Sequence, residues 1–257
     1  MSASEKARIA FFDVDNTLTR GSTLYLLGRG MYHRGFFTKR DIAAWVLANI
    51  RFRMTGMEKV DVIERFQKAA TDFIAGHNVE EIKVIGEQIY NESVSPALWE
   101  GTMKIAREHL KAGEEVWLVT ASPEDFAHLI SEKLGFTGAI GTKAETIDGN
   151  YTGNLIGKLL HGKEKAIAIK ELANTRGVQL EDCYAYSDSH NDLPLLNAVG
   201  NPRVINPDAK LKLVAFSSGW PVYDFRRLQW LNRFIGPVVS RLAGLWVFLT
   251  VRKNRGS

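Results

Sequence analysis

Four short apolar runs, residues 9–14, 115–120, 183–187 and the weaker 203–206, are separated by segments of helical periodicity at 96–111, 123–134, 163–175 and 207–216. Several of these helical segments open with a proline near the first turn, where its missing N–H costs nothing. Strands that alternate with helices of this length close into a parallel sheet covered on both faces, which makes the chain an α/β protein. In open sheets of this kind ligands sit outside the carboxyl ends of the strands, so the chemistry is sought where each apolar run stops.

The alternation is broken once. From residue 22 to about 93 the chain has no convincing strand, only helical periodicity divided by Gly35, Gly56 and the turn 76–78 into roughly four helices. About 70 helical residues inserted after the first strand are expected to form an all-helical cap over the strand ends. Residues 147–155, with Asp148-Gly149-Asn150, read as a β-hairpin near that edge. The predicted organisation is a catalytic core of residues 1–20 and 95–222, a helical cap of 21–94 and a C-terminal tail of 223–257. With 45% hydrophobic and 24% charged residues the composition is that of a soluble globular protein. The single cysteine, Cys183, excludes an internal disulfide and a Cys-rich zinc site, and reads as a small buried side chain. The polar N-terminus lacks the apolar core of a signal peptide, so a cytoplasmic location is expected.

The run ends carry an ordered set of polar residues. The first ends Phe12-Asp13-Val14-Asp15-Asn16-Thr17, the second Val119-Thr120-Ala121-Ser122, and the third Ser187-Asp188-Ser189-His190-Asn191-Asp192. Gly162-Lys163-Glu164-Lys165 opens the helix between the second and third. Two carboxylates at the end of a buried strand are costly unless a cation or a proton compensates them. Alone, each signal has a plain structural reading: an acidic turn, a helix N-cap at Ser122, a solvated helix-start lysine.

In this order and at these positions, the set resembles the motifs of the haloacid dehalogenase superfamily of aspartate-nucleophile phosphohydrolases. The likeness spans about residues 9–216, and the helical insert is similar to the C1-type cap of the subfamily that contains phosphoserine phosphatase. The resemblance implies a Rossmann-like parallel sheet and a Mg²⁺-dependent phosphomonoesterase that acts on a small phosphorylated substrate through an aspartyl-phosphate. It implies Asp13 as nucleophile and Asp15 as general acid and base. The Mg²⁺ ligands would be the Asp13 carboxylate, the Asp15 carbonyl and Asp188, with Asp192 close by. Thr120, Ala121 and Lys165 would hold the phosphoryl group, and Thr17 would shape the turn. Lys165 is preferred to Lys163 because the apolar positions Ile169, Leu172 and Ala173 follow it at the family's spacing.

Three other signals are set aside. Residues 157–164 nearly match a phosphate-binding loop, but Glu164 stands where that loop needs a metal-binding hydroxyl. The six histidines show no zinc spacing, and His190 reads as an exposed loop residue. Tyr25, Trp45 and Phe52 in the cap fit core packing better than a substrate pocket.

The family's phosphoserine phosphatases place an acidic residue soon after the first motif, and the corresponding segment here, Arg20-Gly21-Ser22-Thr23-Leu24, has none. Phosphoserine, histidinol phosphate and lipid phosphates therefore stay open as substrates, beside a membrane-recruited regulator with a slow phosphatase core. The formal charge of +4 is unevenly placed. Seven Lys and Arg against Asp224 give residues 223–257 a charge of +6 and leave −2 for the rest. Leu228, Leu231, Ile235, Val238, Leu242, Leu245 and Leu249 recur at helical spacing in that tail, an amphipathic pattern expected to lie on a surface rather than span a bilayer. The flanking Arg and Trp favour the inner face of a membrane. A nucleic-acid partner is not expected, because no binding module accompanies the basic pI of about 9.1. The oligomeric state is not legible.

Overall fold

The computed structural model describes residues 7–36, 38–40 and 74–226. The chain divides into two compact units, Met1–Val222 and Tyr223–Ser257. Of the second, only Tyr223–Arg226 is described, where the Arg226 guanidinium binds the Asp224 carboxylate at 2.8 and 3.0 Å. The amphipathic pattern expected in the tail lies outside the described residues, as do Trp45, Phe52 and Gly56. Among the described residues no helix is long and apolar enough to cross a membrane.

The first unit is built on a sheet whose centre is β1 (Ile9–Phe12), flanked by β2 (Glu115–Pro123) and β6 (Tyr184–Ser187), with β3 (Gly138–Thr142) beyond β2 and β7 (Asn201–Ile205) beyond β6. The pairings from β3 to β7 are all parallel. A two-residue strand, β8 (Val222–Tyr223), ends the order. Because β1 is central, both of its faces are buried, which is why it reads as an unbroken apolar run. Ile9 and Phe11 join a core with Val119, Ala185, Ile169 and Leu195 on one face. Phe12 points to the other, where its ring stacks on Tyr186 at 4.2 Å and meets His109 edge-on. Cys183 is buried, as expected, with its thiol donating to the Gln179 carbonyl.

Several boundaries depart from the sequence reading. The strand β3 was not expected, since Gly138 and Gly141 weaken its strand pattern. Both glycines are required by close approach: a Cβ at Gly138 would lie 2.6 Å from the Trp117 ring, and one at Gly141 2.5 Å from the Glu124 backbone. β2 runs through Ser122, so this serine is not a helix cap; the helix Glu124–Leu134 starts after Pro123 without a side-chain cap. The helix expected from residue 96 is a short 3-10 turn, Ser95–Ala97, followed by extended backbone at Leu98 and Trp99 and then the helix Glu100–Lys111. A hydrogen bond from Trp99 N–H to the Leu18 carbonyl holds that interruption in place.

The described parts of the insert are the helices Thr23–His33 and Val79–Ile89, the second continuing into a π-helical turn, Tyr90–Val94. Ser22 and Asn78 cap them, each accepting a backbone N–H. Gly86 lets the second helix settle against Phe126 and Leu129 of helix Glu124–Leu134, and Lys133 pairs with Glu87 at 2.6 Å. The hairpin β4 (Ala144–Ile147) and β5 (Asn150–Leu155) forms as expected, with Asp148 and Gly149 at positive φ in its turn. It holds the entry to the same helix through Gly76 N–H to Tyr151 O and Val79 N–H to Gly149 O. Tyr25 is 63% exposed, contrary to the expectation of core packing, because it lies on the outward side of the first helix.

Candidate active site

The carboxyl ends of β1, β2 and β6 and the start of helix Lys163–Arg176 enclose a cavity of about 200 Å³. Asp13, Asp15, Thr120, Ala121, Lys165, Asp188 and Asp192 all line it, so seven of the eight expected site residues converge there. Thr17, the eighth, lies behind them and donates its hydroxyl to Asp13 Oδ2 at 3.0 Å, with Asp188 Oδ1 at 3.4 Å.

Lys165 organises the floor. Its side chain sits on the inward face of the helix at only 3% exposure, with Nζ 2.6 Å from Asp13 Oδ1 and 2.8 Å from Asp192 Oδ2. Lys163, the alternative, is exposed, and Glu164 pairs outward with Lys158 at 3.0 Å. Burial lowers the affinity of Lys165 for its proton, but the charges of Asp13 and Asp192 outweigh this and hold the ammonium firmly protonated. Ser187, at the end of β6, donates to the same Asp192 oxygen at 2.8 Å.

One lysine does not neutralise this site. Burial raises the Asp13 pKa to about 7, with Lys165 opposing and Asp192 and Asp15 adding to the rise. Burial also raises Asp188 to about 8, reinforced by the charges of Asp13 and Asp192. Both carboxyls therefore lack the positive charge that would keep them ionised. This deficit fits a divalent cation with hard oxygen donors. Among the described residues no three His, Cys, Asp or Glu side chains group as a full ligand set. Two carboxylates, a backbone carbonyl and water form a donor set of the kind Mg²⁺ accepts, since that ion retains much of its hydration.

Other residues of the site escaped the sequence reading. Asp15 Oδ1 accepts from the backbone N–H of Thr23 at 2.8 Å and from its hydroxyl at 2.5 Å, and the Thr23 hydroxyl meets Ser122 Oγ at 2.7 Å. His161 also lines the cavity, and burial pushes its pKa below the usual histidine range. No fixed spacing marks these residues; only a hydroxyl-rich second strand end and a histidine just before the phosphate-lysine segment hinted at them. His190 does not line the cavity and is half-buried rather than exposed, with Nδ1 enclosed and lacking a hydrogen bond.

The family model of haloacid dehalogenase-like hydrolases matches residues 10–197, and the chain belongs to that family. It is 45% identical over 217 residues to the phosphoserine phosphatase SerB1 of Mycobacterium tuberculosis, covering 84% of this chain and 70% of the relative. It is 30% identical over 222 residues to the histidinol-phosphatase of Neisseria meningitidis, covering 85% of this chain and 99% of that one. Among solved structures, a protein of unknown function from Bordetella pertussis Tohama I superposes with a TM-score of 0.75 at 28% identity, covering 85% of this chain and 99% of that chain. Within its family the chain is a phosphatase.

Proposed function

We propose that the protein is a Mg²⁺-dependent phosphomonoesterase that acts through an aspartyl-phosphate on Asp13. The observation that carries this reading is the buried Lys165 ammonium bridging Asp13 and Asp192 on the floor of a cavity whose walls bear Asp15, Thr120 and Asp188. A phosphate monoester repels anionic nucleophiles, so its hydrolysis depends on positioning and charge neutralisation more than on reactive groups. Bound Mg²⁺ would offset the phosphoryl charge, and Asp13, the Asp15 carbonyl and Asp188 would hold it. Lys165, Thr120 and the Ala121 backbone hold the phosphoryl oxygens.

In the first step an Asp13 oxygen attacks phosphorus, the ester P–O bond breaks, and the leaving oxygen takes a proton from Asp15. In the second step water attacks the phosphoryl group and gives its proton to Asp15, which releases inorganic phosphate and restores the Asp13 carboxylate. The substrate is a small phosphate ester of the phosphoserine or histidinol phosphate kind, in keeping with the activities named for the bacterial relatives. The cavity volume supports a phosphoryl group with a small leaving portion.

Phosphate release from p-nitrophenyl phosphate tests the reading. Turnover should require Mg²⁺, stop with EDTA and fall at least about 10³-fold in Asp13→Asn, because the amide is not a nucleophile. Turnover that survives this substitution contradicts the mechanism. A screen of phosphoserine, histidinol phosphate and lysophospholipids by kcat/KM then assigns the substrate.

A further inference from the structure

Three hydroxyl and carboxyl groups from three separate elements meet at the side of the cavity. Asp15 comes from the loop after β1, Thr23 is the first residue of helix Thr23–His33, and Ser122 lies near the end of β2. Thr23 is fully buried and Ser122 nearly so. Asp15 Oδ1 accepts from the Thr23 hydroxyl across a 2.5 Å contact. The single proton of Thr23 is then committed, and Ser122 must donate to Thr23 across 2.7 Å. The Thr23 backbone N–H adds a second donor to the same Asp15 oxygen at 2.8 Å.

This chain fixes more than a hydrogen bond. It fixes one Asp15 oxygen with two donors and leaves the other to carry the proton, and it does so from the first residue of the insert. On the reading of Asp15 as general acid and base, the geometry points to Thr23 as a positioning residue for Asp15, with Ser122 setting the direction of the Thr23 hydroxyl. Protonation of the leaving oxygen is then tied to the placement of the insert's first helix against the core.

The test compares p-nitrophenyl phosphate with phenyl phosphate, whose phenolate leaves less readily and depends more on a proton donor. Thr23→Val keeps the shape and the backbone N–H but removes the hydroxyl; Thr23→Ser keeps the hydroxyl; Ser122→Ala removes only the outer donor. Asp15→Asn provides the leaving-group dependence expected when the acid is lost entirely. In Thr23→Val, kcat/KM for phenyl phosphate is expected to fall about tenfold or more, with at most about a threefold loss on p-nitrophenyl phosphate. Ser122→Ala should show the same bias more weakly, and Thr23→Ser should restore the wild-type ratio. An equal loss on both esters in Thr23→Val and Ser122→Ala, or no loss on either, overturns the proposal. Wild-type turnover and its loss in Asp13→Asn test the phosphatase reading separately, so a flat Thr23 result counts against the positioning role alone.

Discussion

At the scale of single residues, the buried Lys165 is the side chain on which most depends. Replacing it by Met leaves Asp13 and Asp192 without their shared cation, and breaking a buried pair in this way costs about 3–5 kcal/mol. Urea unfolding of Lys165→Met should show that loss together with a fall of at least about 10²-fold in kcat, and the stability loss should be smaller below about pH 7, where the Asp13 carboxyl takes up its proton. Asp13 and Asp188 supply a second expectation. Their pKa values stand at about 7 and about 8 in the folded chain, well above the unfolded 3.8, so between those limits the folded state binds more protons. Without a cation, folding stability therefore declines as pH rises from about 4 to about 8. Mg²⁺ held as proposed binds the ionised carboxylates, so its stabilisation should run the opposite way. The rise in Tm on adding Mg²⁺ to EDTA-treated protein should be larger at about pH 8 than at about pH 5.5, by roughly 3 °C or more; an equal rise at both contradicts it. The sequence made the lysine and the carboxylates legible because each stands at a run end or one helical turn from an apolar face. Thr23 and His161 were not legible, because neither a hydrogen bond from a helix start back to a strand-end loop nor a place on the cavity wall leaves a fixed spacing to read.

At the scale of elements, close backbone contact explains what the sequence concealed. The strand β3 was hidden by the two glycines that its neighbours demand, and the N-terminal part of the 96–111 pattern by a backbone hydrogen bond to Leu18 that overrides helical periodicity. Gly200, just before β7, is the tightest such contact: a Cβ there would lie 1.9 Å from the Glu181 carbonyl oxygen. Gly200→Ala must displace backbone rather than a flexible side chain and should destabilise by about 2–3 kcal/mol in urea unfolding. An unchanged midpoint would show that the segment 180–182 yields freely. The hairpin and the helix Glu124–Leu134 form another joint, because Tyr151 donates its hydroxyl to Asp125 at 2.8 Å. Tyr151→Phe should cost about 1 kcal/mol, with kcat on p-nitrophenyl phosphate nearly unchanged.

At the scale of the whole molecule, the strand–helix alternation made the α/β class and the location of the cavity legible before any contact was known, because ligands in such sheets collect at the strand ends. The uneven charge divides the chain in the same way: a mildly acidic body, suited to the proposed cation site, precedes a 35-residue segment with seven Lys and Arg. If that tail meets anionic lipid as its composition leads one to expect, the full chain should sediment with phosphatidylserine vesicles at low salt and a chain ending at residue 222 should not. Equal recovery in the supernatant removes the membrane reading and leaves the catalytic one untouched. The central claim concerns a single bond, the one between Asp13 and phosphorus, and acid-quenched mass spectrometry of the enzyme during turnover of p-nitrophenyl phosphate reads it directly. The peptide containing Asp13 should gain the mass of one phosphoryl group, and the gain should vanish on hydroxylamine treatment and in Asp13→Asn. Steady turnover with no phosphoryl group trapped on that peptide, or with one on another residue, would contradict the assignment of Asp13 as the nucleophile.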